Sequence, residues 1–137
     1  MLSELLYISF RNSSCTSEEV EKILKQSIQN NGKKNITGVL LYSKVQFLQV
    51  LEGDNEQIVT LYDKIKTDSR HDKALMLSLK PIKERFFPSW QMAGKEMDSG
   101  YQFLSTLQEE EKKEFQQILE GETNSNAVKI ISRLFND

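Results

Sequence analysis

Short runs of apolar residues alternate along this chain with longer stretches in which apolar positions recur every three or four residues. LSELLYISF, residues 2–10, is β-prone and is followed by polar RNSSC, which predicts a first strand closed by a loop. Thr16 and Glu19 have the spacing of a capping box, and Val20, Ile23, Leu24 and Ile28 follow at helical spacing, predicting a helix over about residues 17–30. Asn30, Asn31 and Gly32 are expected to stop it, because Asn and Gly accept the left-handed conformation that ends helices. NITGVLLY (35–42) and VQFLQVLE (45–52), joined at Ser43 and Lys44, read as a β-hairpin. Asp54 is placed to cap a second helix, with Gln57 at the reciprocal position and Ile58, Leu61, Tyr62 and Ile65 as its buried stripe, ending near Asp68. Strands over 73–82 and 89–97 complete the order β-α-β-β-α-β-β.

That order is the ferredoxin-like α+β pattern with one extra strand, and it sets both helices on one face of a largely antiparallel sheet. The other face needs a cover, because both faces are apolar. The first strand offers Leu6, Ile8 and Phe10 to one side and Leu5, Tyr7 and Ser9 to the other; the third offers Leu48 and Val50 opposite Phe47, Gln49 and Leu51. The remaining stretch supplies two helices for this, over about 107–119 with Phe115, Ile118 and Leu119, and over 124–135 with Val128, Ile131 and Leu134. The division expected is therefore a domain of residues 1–97 and a helical extension of residues 98–137.

Composition removes several classes of function. With one Cys (Cys15) and one His (His71), the chain lacks the ligands for a zinc finger or an all-His/Cys metal centre. A net charge of -2 without a concentrated basic face argues against nucleic acid as partner. No apolar run reaches the roughly 20 residues that span a bilayer, and MLSELLYISF carries Glu4 and no basic start, so a cytoplasmic protein without a membrane partner is expected.

The informative positions are those where polar residues interrupt the apolar pattern, since a buried polar group is retained only with a partner. Ser27 lies inside the stripe of the first helix, and the same face continues to Asn31. The stripe of the second helix extends to Asp68, followed at once by Arg70 and His71. Gln49 sits between Phe47 and Leu51, and Tyr7 sits among aliphatics. Each has an ordinary explanation alone: a packed strand tyrosine, a back-bonding serine, an asparagine helix end, a surface ion pair worth about 0–1 kcal/mol. Two helices lying side by side over the sheet would bring them together, between aliphatic walls from Ile23 and Ile65. Such a pocket suits a flat heteroaromatic ligand with many donors and acceptors. No hydrolase triad spacing, zincin motif, Walker loop or dinucleotide fingerprint is present, so no enzyme is expected.

Taken in order, Leu5-Leu6-Tyr7-Ile8-Ser9, Asn30-Asn31, Ile36-Thr37-Gly38-Val39-Leu40-Leu41-Tyr42, Phe47-Leu48-Gln49-Val50-Leu51-Glu52-Gly53, Asp68-Ser69-Arg70-His71 and Trp90-Gln91-Met92 resemble the BLUF family of blue-light sensors using FAD, in its short stand-alone form. The resemblance implies FAD held noncovalently between the two helices. It makes Tyr7 the photoactive tyrosine and Gln49 the glutamine between its hydroxyl and the flavin. It sets Asn31 on a ring carbonyl with Asn30 beside it, Ser27 near the glutamine, and Ile23 and Ile65 on the two ring faces. Asp68, Arg70 and His71 then hold the polar edge, and Lys64 approaches the phosphates. It further implies that Tyr7 gives an electron and a proton through Gln49 to the excited flavin and recovers them, leaving Gln49 rotated or tautomerised. A last strand carrying Trp90 or Met92 senses the change; which of the two faces the flavin stays open. The family's usual W-S-M triplet is W-Q-M here. About 40 trailing residues cannot form a catalytic domain, so the resemblance points to a separate effector protein and to a homo-oligomer. A light-independent flavin-binding interaction module is the competing reading.

Overall fold

The computed structural model describes residues 1–88, 90, 92–96, 108–122 and 126–135. Among these residues, five strands and four helices follow in the order β1 (Leu2–Arg11), α1 (Ser17–Lys33), β2 (Thr37–Tyr42), β3 (Gln46–Asp54), α2 (Asn55–Thr67), β4 (His71–Pro81), β5 (Ala93–Glu96), α3 (Glu109–Leu119) and α4 (Ala127–Phe135). The sheet order is β4-β1-β3-β2-β5. All neighbours are antiparallel except β2 and β5, which run parallel, with Val39 opposite Ala93. The α+β architecture expected from the order of elements is thus observed.

Both faces of the central strands are covered, which is why β1 and β3 are buried at nearly every position rather than at alternate ones, polar Ser3, Glu4, Ser9, Gln49 and Glu52 included. Leu5, Tyr7, Leu40, Phe47 and Leu51 meet Val20 and Ile23 of α1 and Ile58 and Tyr62 of α2. Leu6, Ile8, Leu48 and Val50 point the other way and meet Phe115, Ile118, Val128, Ile131 and Leu134 of α3 and α4. Hydrogen bonds fasten that cover to the sheet: Gln46 Nε2 donates to the Leu119 carbonyl at 2.8 Å, and Lys95 Nζ donates to the Leu134 carbonyl at the end of α4.

Several boundaries differ from those expected. The cap of α1 is as predicted, Thr16 Oγ1 accepting the Glu19 N–H at 3.2 Å, but the helix runs through Asn30, Asn31 and Gly32 to Lys33. Its end is made by the Asn31 carbonyl, which accepts N–H bonds from Lys34 at 3.1 Å and Ile36 at 2.9 Å, and the left-handed residue is Asn35 (φ 56°). Asn and Gly inside a helix cost about 1 kcal/mol or less each, which this turn and the burial of Asn31 offset. β4 starts at His71, two residues early, and shifts register against β1 between Ile8 and Phe10, near Lys73 (φ 51°). Positions 89, 91 and 97 of the expected last strand, and the helix starts expected at 107 and 124, lie outside the described residues. Among the described residues no helix is long and apolar enough to cross a membrane.

Candidate functional site

Between α1 and α2, over the β1-β3-β2 part of the sheet, an open cleft of about 660 Å³ is measured out to its mouth. Its walls come from helical spacing: Ile23, Gln26, Ser27, Asn30 and Asn31 face it from α1, and Leu61, Lys64 and Ile65 from α2. Its floor is Tyr7, Leu40 and Gln49 from three adjacent strands, and one end is closed by Asp68 and Arg70 in the turn that leads into β4 and by His71 at the start of that strand.

On the floor, strand register makes Tyr7 and Gln49 direct cross-strand partners. The buried Tyr7 hydroxyl donates to Gln49 Oε1, and Gln49 Nε2 donates to Met92 Sδ at 3.3 Å. Burial pushes the Tyr7 phenol well above the usual tyrosine range, with Tyr62 and Asp68 adding to the rise, so Tyr7 is a neutral donor. The Tyr62 ring lies 5.3 Å from the Tyr7 ring and holds it from the α2 side.

At the closed end, Arg70 forks onto Asp68: Nε donates to Oδ1 at 2.9 Å and Nη2 to Oδ2 at 2.6 Å, while the Arg70 backbone N–H also reaches Oδ1 at 2.9 Å. Those bonds hold the Asp68 carboxyl down to about 2. Glu19 of α1 lies 3.7 Å from Arg70, tying the turn to the opposite wall. His71 is buried between Phe47, whose ring centre is 4.5 Å away, and Tyr7 at 6.2 Å, and its Nδ1 lies 2.8 Å from Ser9 Oγ. Burial lowers the imidazole to about 4, so the ring is neutral near pH 7.

The cleft therefore brings together Tyr7, Ile23, Ser27, Asn30, Asn31, Gln49, Lys64, Ile65, Asp68, Arg70 and His71. Asn31 is buried whereas Asn30 and Lys64 are exposed, which puts those two toward solvent. Met92 joins the helix-side cluster and reaches Gln49. Trp90 does not: it stacks on Phe87 at 5.7 Å and packs against the opposite face. Sequence reasoning missed Gln26, Leu40 and Leu61 as lining residues; Leu61 was visible as part of the α2 stripe, while Gln26 reads as an ordinary exposed helix position.

Aliphatic side chains on both walls, with amides, a hydroxyl and an Asp-Arg pair around the rim, match the chemistry of a flat flavin ring that has apolar faces and a polar edge. The comparisons agree. A family model described as sensors of blue light using FAD, BLUF, matches residues 2–93. The chain is 35% identical over 88 residues to the photoactivated adenylate cyclase subunit beta of Euglena longa, covering 64% of this chain and 10% of that protein. It is similar in structure to a bacterial light-regulated adenylyl cyclase, with 39% identity and a TM-score of 0.72 over 88% of this chain and 34% of that one. It is also similar to BlsA in its photo-activated state, with 26% identity and a TM-score of 0.82 over 100% of this chain and 97% of that one. The chain spans about a tenth of the length of the curated relatives it matches. With the family model covering two thirds of the sequence, the chain belongs to the BLUF family, the sensors of blue light using FAD.

Proposed function

We propose that this chain holds FAD noncovalently in the α1/α2 cleft and works as a light-driven switch without turnover of its own, with Tyr7, Gln49 and Met92 as the switching residues. Residues 1–97 act as the sensor and residues 98–137 as a docking extension. The output passes to a separate effector protein, in the cytoplasm, from a homo-oligomer. Bound FAD would supply absorption of blue light and a reversible acceptor for an electron and a proton. Proton-coupled electron transfer is then the reaction class.

The observation that carries this reading is the continuous chain Tyr7–Gln49–Met92 on the cleft floor. A Tyr hydroxyl needs an acceptor, and a thioether sulfur accepts weakly and cannot donate. Both conditions favour Gln49 with Oε1 toward Tyr7 and Nε2 toward Met92. Rotating the amide would leave Oε1 facing a sulfur with no proton to give, so Gln49 has two discrete states of unequal energy. Departure of the Tyr7 proton removes the reason for the first state, and Gln49 becomes free to turn. Ile23 and Ile65 orient the ring between the walls, Asn31, Asn30 and Ser27 bind its edge from α1, and Asp68, Arg70 and His71 close the far end. Lys64, at the exposed rim of the cleft, would bind the phosphates. A local hydrogen-bond change of this kind acts by shifting the population of a two-state element.

Absorbance of the FAD-reconstituted protein before and after blue light tests the reading. A reversible red shift is expected. Bound flavin with identical dark and lit spectra would overturn it in favour of the light-independent module.

A further inference from the structure

Ser9 and His71 form a buried pair that the switching chain does not use. Ser9 is on β1, two residues beyond Tyr7 and on the same face, and His71 opens β4; their contact is 2.8 Å, with Ser9 1% and His71 8% exposed. A buried hydroxyl carries one proton that needs an acceptor, and leaving it without one costs stability. Among the described residues, the only partner for Ser9 Oγ is His71 Nδ1. If Nδ1 carried the imidazole proton it would donate to Ser9, and the serine proton would have nowhere to go. The arrangement that satisfies both groups is Ser9 O–H donating to Nδ1, which puts the ring proton on Nε2. His71 lines the cleft, and with Nδ1 engaged by Ser9 the nitrogen left for a ligand is Nε2.

We infer that Ser9 is a positioning residue, which locks His71 in the Nε2–H tautomer so that the closed end of the cleft offers one fixed N–H donor to an acceptor oxygen of the bound cofactor. Phe47 against the imidazole fixes the ring plane, so the donor is fixed in direction as well as identity. This rests on the cleft being the FAD site for its ligand, but not for the tautomer, which the Ser9–His71 contact sets by itself.

His71 is the one histidine of the sequence, so a single imidazole appears in the spectrum of the full chain. Long-range ¹H-¹⁵N NMR of the FAD-free protein near neutral pH should show Nδ1 as the unprotonated nitrogen and Nε2 as the protonated one. Nδ1 protonated in the unsubstituted protein overturns the inference, with no variant needed. Ser9→Ala should convert the ring to a mixture of tautomers and weaken FAD binding by about threefold to tenfold, while Ser9→Thr restores both. An unchanged tautomer in a folded Ser9→Ala protein also overturns it. Failure of the chain to bind FAD, with the Nε2–H tautomer observed, would instead count against the cofactor reading and leave the lock standing.

Discussion

Tyr7 and Gln49 face each other across the β1-β3 pair, and the tyrosine hydroxyl donates to the glutamine carbonyl with both side chains buried. Tyr7→Phe keeps the ring, its packing on Tyr62 and the cleft shape, and removes only the donor. The phenylalanine protein is expected to bind flavin and to lose the reversible spectral shift. It should unfold about 1 kcal/mol more easily in urea, because Gln49 Oε1 is left without a donor. A normal photocycle in this variant would show that the hydroxyl is not the source of the switching proton.

Met92 and Trp90 give a contrast within one short segment. Met92→Leu preserves the volume but removes the sulfur that accepts from Gln49 Nε2, which weakens the preference for the dark amide orientation. Return from the lit to the dark spectrum is expected to slow about twofold to fivefold. Trp90→Phe, altered at a residue that stacks on Phe87 on the other face, should leave that rate within a factor of two while lowering stability. The reverse pattern in time-resolved absorbance would place the sensing residue at Trp90.

The reason this choice could not be made from sequence is instructive. Residues 90 and 92 share parity, so a regular strand over 89–97 sends both to one face, whereas β5 starts only at Ala93 and the two side chains go to opposite faces. The approach to it is set by a long-range clamp: Glu52 accepts the Phe86 and Phe87 N–H groups at 2.6 and 2.9 Å, and Arg85 donates to the Asn35 and Glu52 carbonyls. Nothing local to residues 82–92 encodes that. Tyr7 and Gln49 were legible because strand alternation is a local rule and β1 obeys it, and Ser27, Asn31 and Ile65 because helix periodicity is local too. The end of α1 was misplaced for the opposite cause, since tertiary burial of Asn31 overrides the helix-stopping tendency of its sequence.

Gly38 on β2 is a backbone requirement of the hairpin. A Cβ there would lie 1.9 Å from the Val50 carbonyl oxygen, and its φ of +156° is one that side chains rarely adopt. The neighbour is backbone in a central strand and cannot withdraw without breaking the β2-β3 ladder. Gly38→Ala is expected to destabilise by about 3 kcal/mol or more, or to prevent folding. Soluble expression and the urea midpoint measure it; a shift under about 0.5 kcal/mol would mean that β2 pairs differently.

Glu4 and Glu52 are also direct β1-β3 partners, and both are buried. Glu52 has backbone donors, but among the described residues neither oxygen of Glu4 has a hydrogen bond, and Lys80 Nζ lies 3.9 Å away. Burial raises the Glu4 carboxyl, Lys80 opposes the rise and Glu52 adds to it. A carboxyl raised in the folded state costs stability where it is ionised in both states, and nothing below its unfolded value of 4.5. Glu4→Gln should therefore stabilise the protein at high pH by roughly 1 kcal/mol, with the gain vanishing as pH falls through that value. Denaturation of the two proteins at several pH values provides the check. A gain independent of pH would locate its origin in packing.

His71 gives the opposite pH dependence. Its folded value of about 4 is below the ordinary 6.5, owing first to burial and also to Arg70, against the pull of Asp68 and Asp72. Between those values the unfolded chain binds a proton that the folded chain does not, so stability is fully present above 6.5 and is lost as pH falls through 4. The loss attributable to this one ring is about 3 kcal/mol. Asp68 adds a second loss at lower pH, since its carboxyl is held near 2 and its contribution is present above 3.8 and disappears as pH falls through 2. Because Glu4 acts in the contrary direction over part of the same range, the quantity to measure is the difference between the natural chain and His71→Leu. That difference should fall steeply from about pH 6.5 to pH 4 and then level off. A difference that stays constant over this range would mean that His71 is charged, or reachable by water, in the folded protein.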